Sequence, residues 1–237
     1  MKVNPFIMLD IETLGTPEDC GTSHIAMPSF SFVHFIDKDT LPTILYGQLK
    51  VQAQLNLGAR VSASTLSFWM DEAIRSTMPS GTIRDILAAE TEELTVFHRR
   101  RNTERFTISG EVDNLNVFGR VNNILDSLGA GSLQFFGNGP EFDMSIYSAV
   151  SCAANKGYAV VPWKFWNLGN VRTLRSMYEQ AGFSYRSLLA LAGAWATSVM
   201  SDYGTTDYGI YSEKHDPTFD ALVESYCVAQ ILEQVKL

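Results

Sequence analysis

Phe6-Ile7-Met8-Leu9-Asp10-Ile11-Glu12 is the stretch on which the fold turns. Four consecutive apolar residues stop abruptly at two acids, the pattern of a short buried strand with carboxylates at its tip. Asp10 and Glu12 are two residues apart, so on a strand their side chains point to one face. Carboxylates held side by side repel unless a cation lies between them. With 13 Asp and 13 Glu in 237 residues, roughly 0.7 D-x-E pairs arise by chance, so the pair needs company before it carries weight.

Outward from this strand, residues 30–36 and 43–51 are β-rich runs separated by Asp37-Lys38-Asp39-Thr40-Leu41-Pro42, as in hairpin strands. Helical spacing is expected over 62–97, through Leu66, Trp69, Met70, Ala73 and Ile74, then Ile83, Ile86 and Leu87, with a break at Pro79-Ser80-Gly81. Residues 98–106 are polar and basic, and 112–128 are helical in pattern. A second buried strand at 133–136 is closed by Gly137-Asn138-Gly139. A helix is expected over 140–154, a strand at 158–161, and helices over 171–181, 184–199 and 217–237. Strands first, then helices alternating with strands, predict an α/β fold with a mixed sheet covered by helices. Ligands in such folds collect at the carboxyl ends of the strands, where Asp10 and Glu12 stand.

A chain that is 46% hydrophobic can bury a full core without staples. Cys20, Cys152 and Cys227 have no C-x-x-C spacing, which argues against a disulfide framework or a zinc cage and for a reducing cytoplasm. There is no apolar run of about 18 residues, and four apolar residues before Asp10 are too few for a secretory signal. A soluble cytoplasmic protein is expected. The net charge of −8 excludes non-specific nucleic-acid binding through the overall field. A phosphate-bearing partner must be drawn by a local basic patch or by metal ions held in carboxylates. Arg99-Arg100-Arg101 with Arg105 is the dense basic cluster, either a backbone-tracking patch or a solvated helix end or loop. Of Trp163, Phe165 and Trp166 around Lys164, at least two are expected in the core rather than stacking bases. Arg172 and Arg175 fall one helical turn apart, a spacing suited to phosphate.

Pro140-Glu141-Phe142-Asp143 and Pro217-Thr218-Phe219-Asp220 share the plan P-x-F-D. Proline favours the first helical position, so each aspartate falls in the first turn of its own helix. Either one alone is readily explained as an acid complementing a helix dipole. Together they aim two carboxylates from helix starts at a common point. Asp216 is the natural N-cap of the last helix. His215 precedes Asp220 by five positions, a spacing expected roughly 0.2 times by chance. His24, His34 and His98 have no such company. Four oxygen donors without cysteine suit Mg²⁺ or Mn²⁺. Two such ions stabilise the attacking and leaving oxygens of a phosphodiester, and a nearby histidine can take a proton from water. The chemistry implied is metal-assisted phosphodiester hydrolysis.

Asp10-Ile11-Glu12-Thr13, Asn138-Gly139-Pro140-x-x-Asp143 and His215-x-x-x-x-Asp220 resemble, in order, the three motifs of the DEDDh 3′–5′ exonucleases. Gly137 to Asp143, Pro162-Trp163-Lys164-Phe165-Trp166-Asn167 and Arg172-Thr173-Leu174 resemble more narrowly the small exonucleases of T4-like bacteriophages and a related bacterial exoribonuclease branch. The resemblance implies a ribonuclease H-like five-stranded mixed sheet of order 3-2-1-4-5, as a single exonuclease domain over 1–237, with the basic segment around 98–113 of open role. It implies that Asp10 bridges two ions, that Glu12 and Asp220 complete the inner site, that Asp143 holds the second ion through water, and that His215 is the general base. Thr13 and Leu14 would lie against the 3′-terminal nucleotide, Leu14 as an apolar wedge, with Asn138 and Arg172 also on the substrate side. The chain departs from the pattern at Gly169-Asn170, where close relatives are expected to carry Arg-Asp.

The function expected is therefore a Mg²⁺- or Mn²⁺-dependent 3′–5′ exonuclease releasing nucleoside 5′-monophosphates from a single-stranded end. Resemblance to the phage branch favours DNA. The alternatives are an exoribonuclease and a non-catalytic nucleic-acid-binding module. A homodimer is compatible with this neighbourhood, though no patch marks an interface.

Overall fold

A computed structural model describes residues 3–75, 83, 86, 92–99, 102–108 and 114–235. Strand β1 (Phe6–Glu12) is followed by the one-turn helix α1 (Pro17–Cys20) and by β2 (Ser29–Phe35) and β3 (Thr43–Gln48). Helices α2 (Val51–Asn56) and α3 (Ala63–Arg75) precede β4 (Glu92–His98) and β5 (Asn102–Ile108). Then come α4 (Asn114–Ser127), β6 (Gln134–Gly137), α5 (Asp143–Ala154), β7 (Leu168–Asn170), α6 (Val171–Gln180), α7 (Tyr185–Tyr203) and α8 (Pro217–Val235).

The strands form one sheet in the order β5-β4-β3-β2-β1-β6-β7. Pairing is antiparallel from β5 to β1 and parallel from β1 through β6 to β7. This is the expected mixed α/β sheet, with seven strands where five were expected. The additional pair is the β4–β5 hairpin, which overturns the helix expected up to residue 97 and makes a strand within the polar, basic stretch after it. Leu94 and Val96 point inward at the period of a strand, and both are fully buried. The break at 79–81 and residues 109–113 lie outside the described residues.

Residues 158–161 are not a strand, also against expectation. Ser151 on α5 satisfies that segment instead: its hydroxyl donates to the carbonyl of Val160 at 2.9 Å and accepts the Val160 N–H at 2.8 Å. The strand comes later, at β7, where Gly169 lets the chain approach the Phe136 ring. A Cβ at Gly169 would meet that ring at 2.3 Å.

The two faces of β1 explain where its acids go. Ile7, Leu9 and Ile11 face one cluster, filled by Val117, Phe118, Val121 and Leu125 of α4 and by Met144 and Tyr147 of α5. Phe6 and Met8 face the other, filled by Ala196, Val199 and Met200 of α7 and by Ala221, Leu222 and Val228 of α8. By the strand's period of two, Asp10 and Glu12 continue the second face. They therefore sit beneath α8, the helix that carries Asp220.

Asp216 caps α8 as expected. Its Oδ1 accepts the Thr218 N–H at 3.0 Å, and its Oδ2 takes the Tyr211 N–H at 3.0 Å, fixing the loop that leads in. Among the described residues, no helix is long and apolar enough to cross a membrane.

Candidate active site

Asp10, Glu12, Asn138, Asp143, Arg172, His215 and Asp220 all line one cavity of about 320 Å³. Residues up to 210 positions apart in sequence are thus brought to one point, by three separate structural devices.

The first is the pairing of β1 with α8. Asp10 and Glu12 are held by the antiparallel ladder, opposite Ser31 and Ser29 of β2. Asp220 lies in the first turn of α8, directly over them. Glu224 follows one helical turn later on the same face and lines the same cavity. It was not anticipated from the sequence. The signal for it was a lone acid between Ala221 and Leu222 on one side and Ser225 on the other, all three buried.

The second device is the loop after β6. Asp143 is the first residue of α5 and is almost wholly buried. Pro140 lies in the preceding turn rather than at the first helical position expected for it. The Gly139 N–H donates to Asp143 Oδ2 at 3.0 Å, and a Cβ at Gly137 would lie 2.9 Å from that oxygen. The two glycines of Gly137-Asn138-Gly139 therefore let the loop fold tightly over the carboxylate. At the neighbouring β7 end, Asn170 caps α6 by accepting the Thr173 N–H at 3.1 Å, and its amide donates to Glu141 Oε2 at 3.4 Å. Gly169-Asn170 thus supplies a cap and a tie to this loop, and Arg172 follows on the cavity wall.

The third device is the turn before α8. His215 has φ of +66°, a left-handed conformation that costs a side chain energy and marks a constrained position. Its backbone N–H donates to Asp220 Oδ2 at 2.9 Å. Its ring lies edge-on to Phe68 and Trp69 of α3, at 5.2 and 5.7 Å between centroids. Trp69 is in turn tied to the end of β1 by its indole N–H, which donates to the Thr13 carbonyl at 2.9 Å.

Charge in the cavity is strongly unfavourable without a counter-ion. Burial raises Asp10 well above the carboxylate range, and Asp220, Glu12, Glu224 and Asp143 raise it further by repulsion. Burial pushes Asp143 up to about 7, against the Gly139 hydrogen bond and the Arg172 charge. Asp220 is pushed up to about 6 by burial, against the His215 hydrogen bond and Lys214. For His215 the direction is downward, from burial first and then Lys214, with Glu72 opposing. The imidazole is therefore neutral near pH 7 and able to accept a proton. A divalent cation fits this donor set. Ligand atoms of Glu12, His215 and Asp220 lie within 4.8 Å of one another, and the other hard oxygen donors of the cavity repel one another.

Other expected features lie elsewhere. Leu14 is 2% exposed and packs with Ala26, Ala59 and Trp69, so it does not face the cavity as a wedge. The Thr13 hydroxyl donates to the Gly15 carbonyl at 2.8 Å and also stays off the cavity wall. Of the aromatic trio only Trp163 joins the core, while Phe165 and Trp166 are 81% and 64% exposed, against expectation. They precede Leu168, which the β1–β6–β7 register aligns with Ile7, so they lie toward the end of the sheet away from the acids. Arg99 follows His98 at that same far end. Arg105 pairs with Glu93. Arg100 and Arg101 lie outside the described residues.

Compared with curated proteins, the chain matches none. The sequence model of one family, described as the 3′-5′ exoribonuclease Rv2179c-like domain, matches residues 5–199. That span holds Asp10, Glu12, Asp143 and Arg172 and stops before His215 and Asp220, whose place beside them comes from the geometry alone. The chain belongs to this 3′-5′ exoribonuclease Rv2179c-like family and is an enzyme, a 3′–5′ exonuclease.

Proposed function

We propose that the protein is a DEDDh-type exonuclease that shortens single-stranded nucleic acid from its 3′ end and releases nucleoside 5′-monophosphates with two Mg²⁺ or Mn²⁺ ions. The observation that carries this reading is the convergence of Glu12, His215 and Asp220 donor atoms within 4.8 Å, in the cavity that Asp10 and Asp143 also line. The sheet supports it: β3-β2-β1-β6-β7, taken alone, run in the 3-2-1-4-5 order of ribonuclease H-like sheets.

Asp10, Glu12 and Asp220 would hold one ion, and Asp10 with Asp143 the second. Bound there, such ions stabilise the charge that develops on the attacking and leaving oxygens of a phosphodiester. His215 takes the proton of the attacking water through its neutral ring, which Phe68 and Trp69 hold in place. Arg172 and Asn138 on the wall meet the phosphate and sugar of the terminal nucleotide. Thr13 and Leu14 act from beneath, by fixing the end of β1 and the Trp69 that flanks the base.

RNA is the polymer favoured by the family's description. DNA is favoured by the resemblance to phage exonucleases over Gly137 to Asp143, Pro162 to Asn167 and Arg172 to Leu174. The test uses matched 5′-labelled single-stranded RNA and DNA oligomers, each with Mg²⁺, Mn²⁺ or EDTA. A metal-dependent ladder shortening from the 3′ end is expected, and the faster polymer is the substrate. Undiminished degradation in excess EDTA would overturn the metal mechanism.

A further inference from the structure

Resting on that reading, we propose that Glu224 is a fifth acidic ligand of the catalytic centre, holding the second divalent cation together with Asp10 and Asp143, directly or through water.

Glu224 stands one helical turn beyond Asp220 and shares the cavity with it. Its Oε2 is closed off from solvent and accepts no hydrogen bond among the described residues. A buried acceptor without a donor loses its hydration and gains nothing in return, so such atoms are rare unless something else meets them. The groups facing this carboxyl are Asp143 and Asp220, which repel it, and Arg172, which attracts it. Asp10 also feels it. Arg172 and Lys214, the two fixed cations on the cavity wall, cannot balance the five acids Asp10, Glu12, Asp143, Asp220 and Glu224.

Donor atoms of Glu12, His215 and Asp220 close together within 4.8 Å. Asp143 and Glu224 line the same cavity outside that group, repel each other, and both repel Asp10. A second cation held only by Asp10 and Asp143 would leave the Glu224 oxygen unmet. A cation that also takes Glu224 removes the repulsion and satisfies the orphan oxygen in one step.

The test is Mn²⁺ titration by calorimetry, with and without adenosine 5′-monophosphate, on the wild-type chain and on Glu224→Gln and Glu224→Ala. The wild type is expected to bind two ions. Both variants are expected to keep one ion at near wild-type affinity and to bind the second about 10- to 100-fold more weakly. The Mg²⁺ concentration for half-maximal rate should rise by a similar factor. Melting in EDTA checks the fold, and neither variant should melt below the wild type there. Second-ion affinity within twofold of wild type in both folded variants overturns the proposal. A wild-type chain that binds no cation overturns both this proposal and the function above. Two ions, the second dependent on Glu224, in a chain that degrades no nucleic acid would overturn the exonuclease reading alone.

Discussion

Gly137 and Asp143 are packed so closely that a Cβ at position 137 would sit 2.9 Å from Oδ2 of Asp143. That oxygen already accepts the Gly139 N–H, so it has little freedom to retreat. The loop between β6 and α5 is therefore shaped around one carboxylate, and a single methyl group is enough to move it.

Gly137→Ala is expected to displace Asp143 and to cost about 1–3 kcal/mol of stability, as small-to-large changes in packed sites do. The rate at saturating Mg²⁺ should fall by at least about tenfold, since small misplacement of a catalytic group has effects of this order or larger. Thermal melts and single-turnover hydrolysis measure the two effects separately. A variant with wild-type rate and melting temperature would show that the loop yields without cost.

Asp10→Asn and Asp220→Asn remove a charge from a site crowded with like charges. Hydrolysis is expected to fall to background in both, because the carboxylate is needed to hold the cation. In EDTA both should melt at or above the wild-type temperature, because each relieves repulsion, of Asp10 by its neighbouring acids or of Asp10 and Glu224 by Asp220. Lost activity together with a lowered melting temperature would assign these residues to the fold rather than the chemistry.

The residues that meet in the cavity were more legible than the fold around them. Asp10, Glu12, Asp143, His215 and Asp220 stand in short local patterns whose chemistry depends on spacing, and spacing is visible in a sequence. Glu224 escaped because its meaning depends on what α8 faces, and the face of β1 it meets lies more than 200 residues away. The β4–β5 hairpin escaped because its charged residues, Glu93, Glu104 and Arg105, mask the alternation of Leu94 and Val96. Residue type places at least two of Trp163, Phe165 and Trp166 in the core, yet the short helical turn before β7 presents Phe165 and Trp166 to solvent.

Stability without metal should fall as pH rises. Asp143 is raised to about 7 and Asp220 to about 6, and Asp10 and Glu224 are raised as well. The folded chain thus keeps protons that carboxylates of the unfolded chain release near pH ~4. The stabilisation from these groups is complete below that pH and is lost as pH rises through about 6 to about 7. In EDTA, the melting temperature is expected to drop by several degrees between about pH 5 and about pH 8. Saturating Mg²⁺ should flatten or reverse the trend, because the cation then takes the place of the protons. A flat profile in EDTA would mean that the acids are hydrated and apart.

His215 offers a separation of base from ligand, because its backbone conformation limits which substitutions are clean. At φ of +66° an alanine would carry the same left-handed strain, whereas glycine relieves it and asparagine tolerates it. His215→Gly and His215→Asn should therefore fold normally and preserve the N–H that donates to Asp220. As a general base, His215 should account for about 10²- to 10⁴-fold in rate, with Mn²⁺ affinity changed no more than about threefold. The glycine variant leaves a ring-sized gap beside Phe68 and Trp69, so added imidazole is expected to restore part of the rate to it and much less to the asparagine variant. A loss of Mn²⁺ affinity that parallels the loss of rate, without imidazole rescue, would instead make His215 a ligand alongside Glu12 and Asp220.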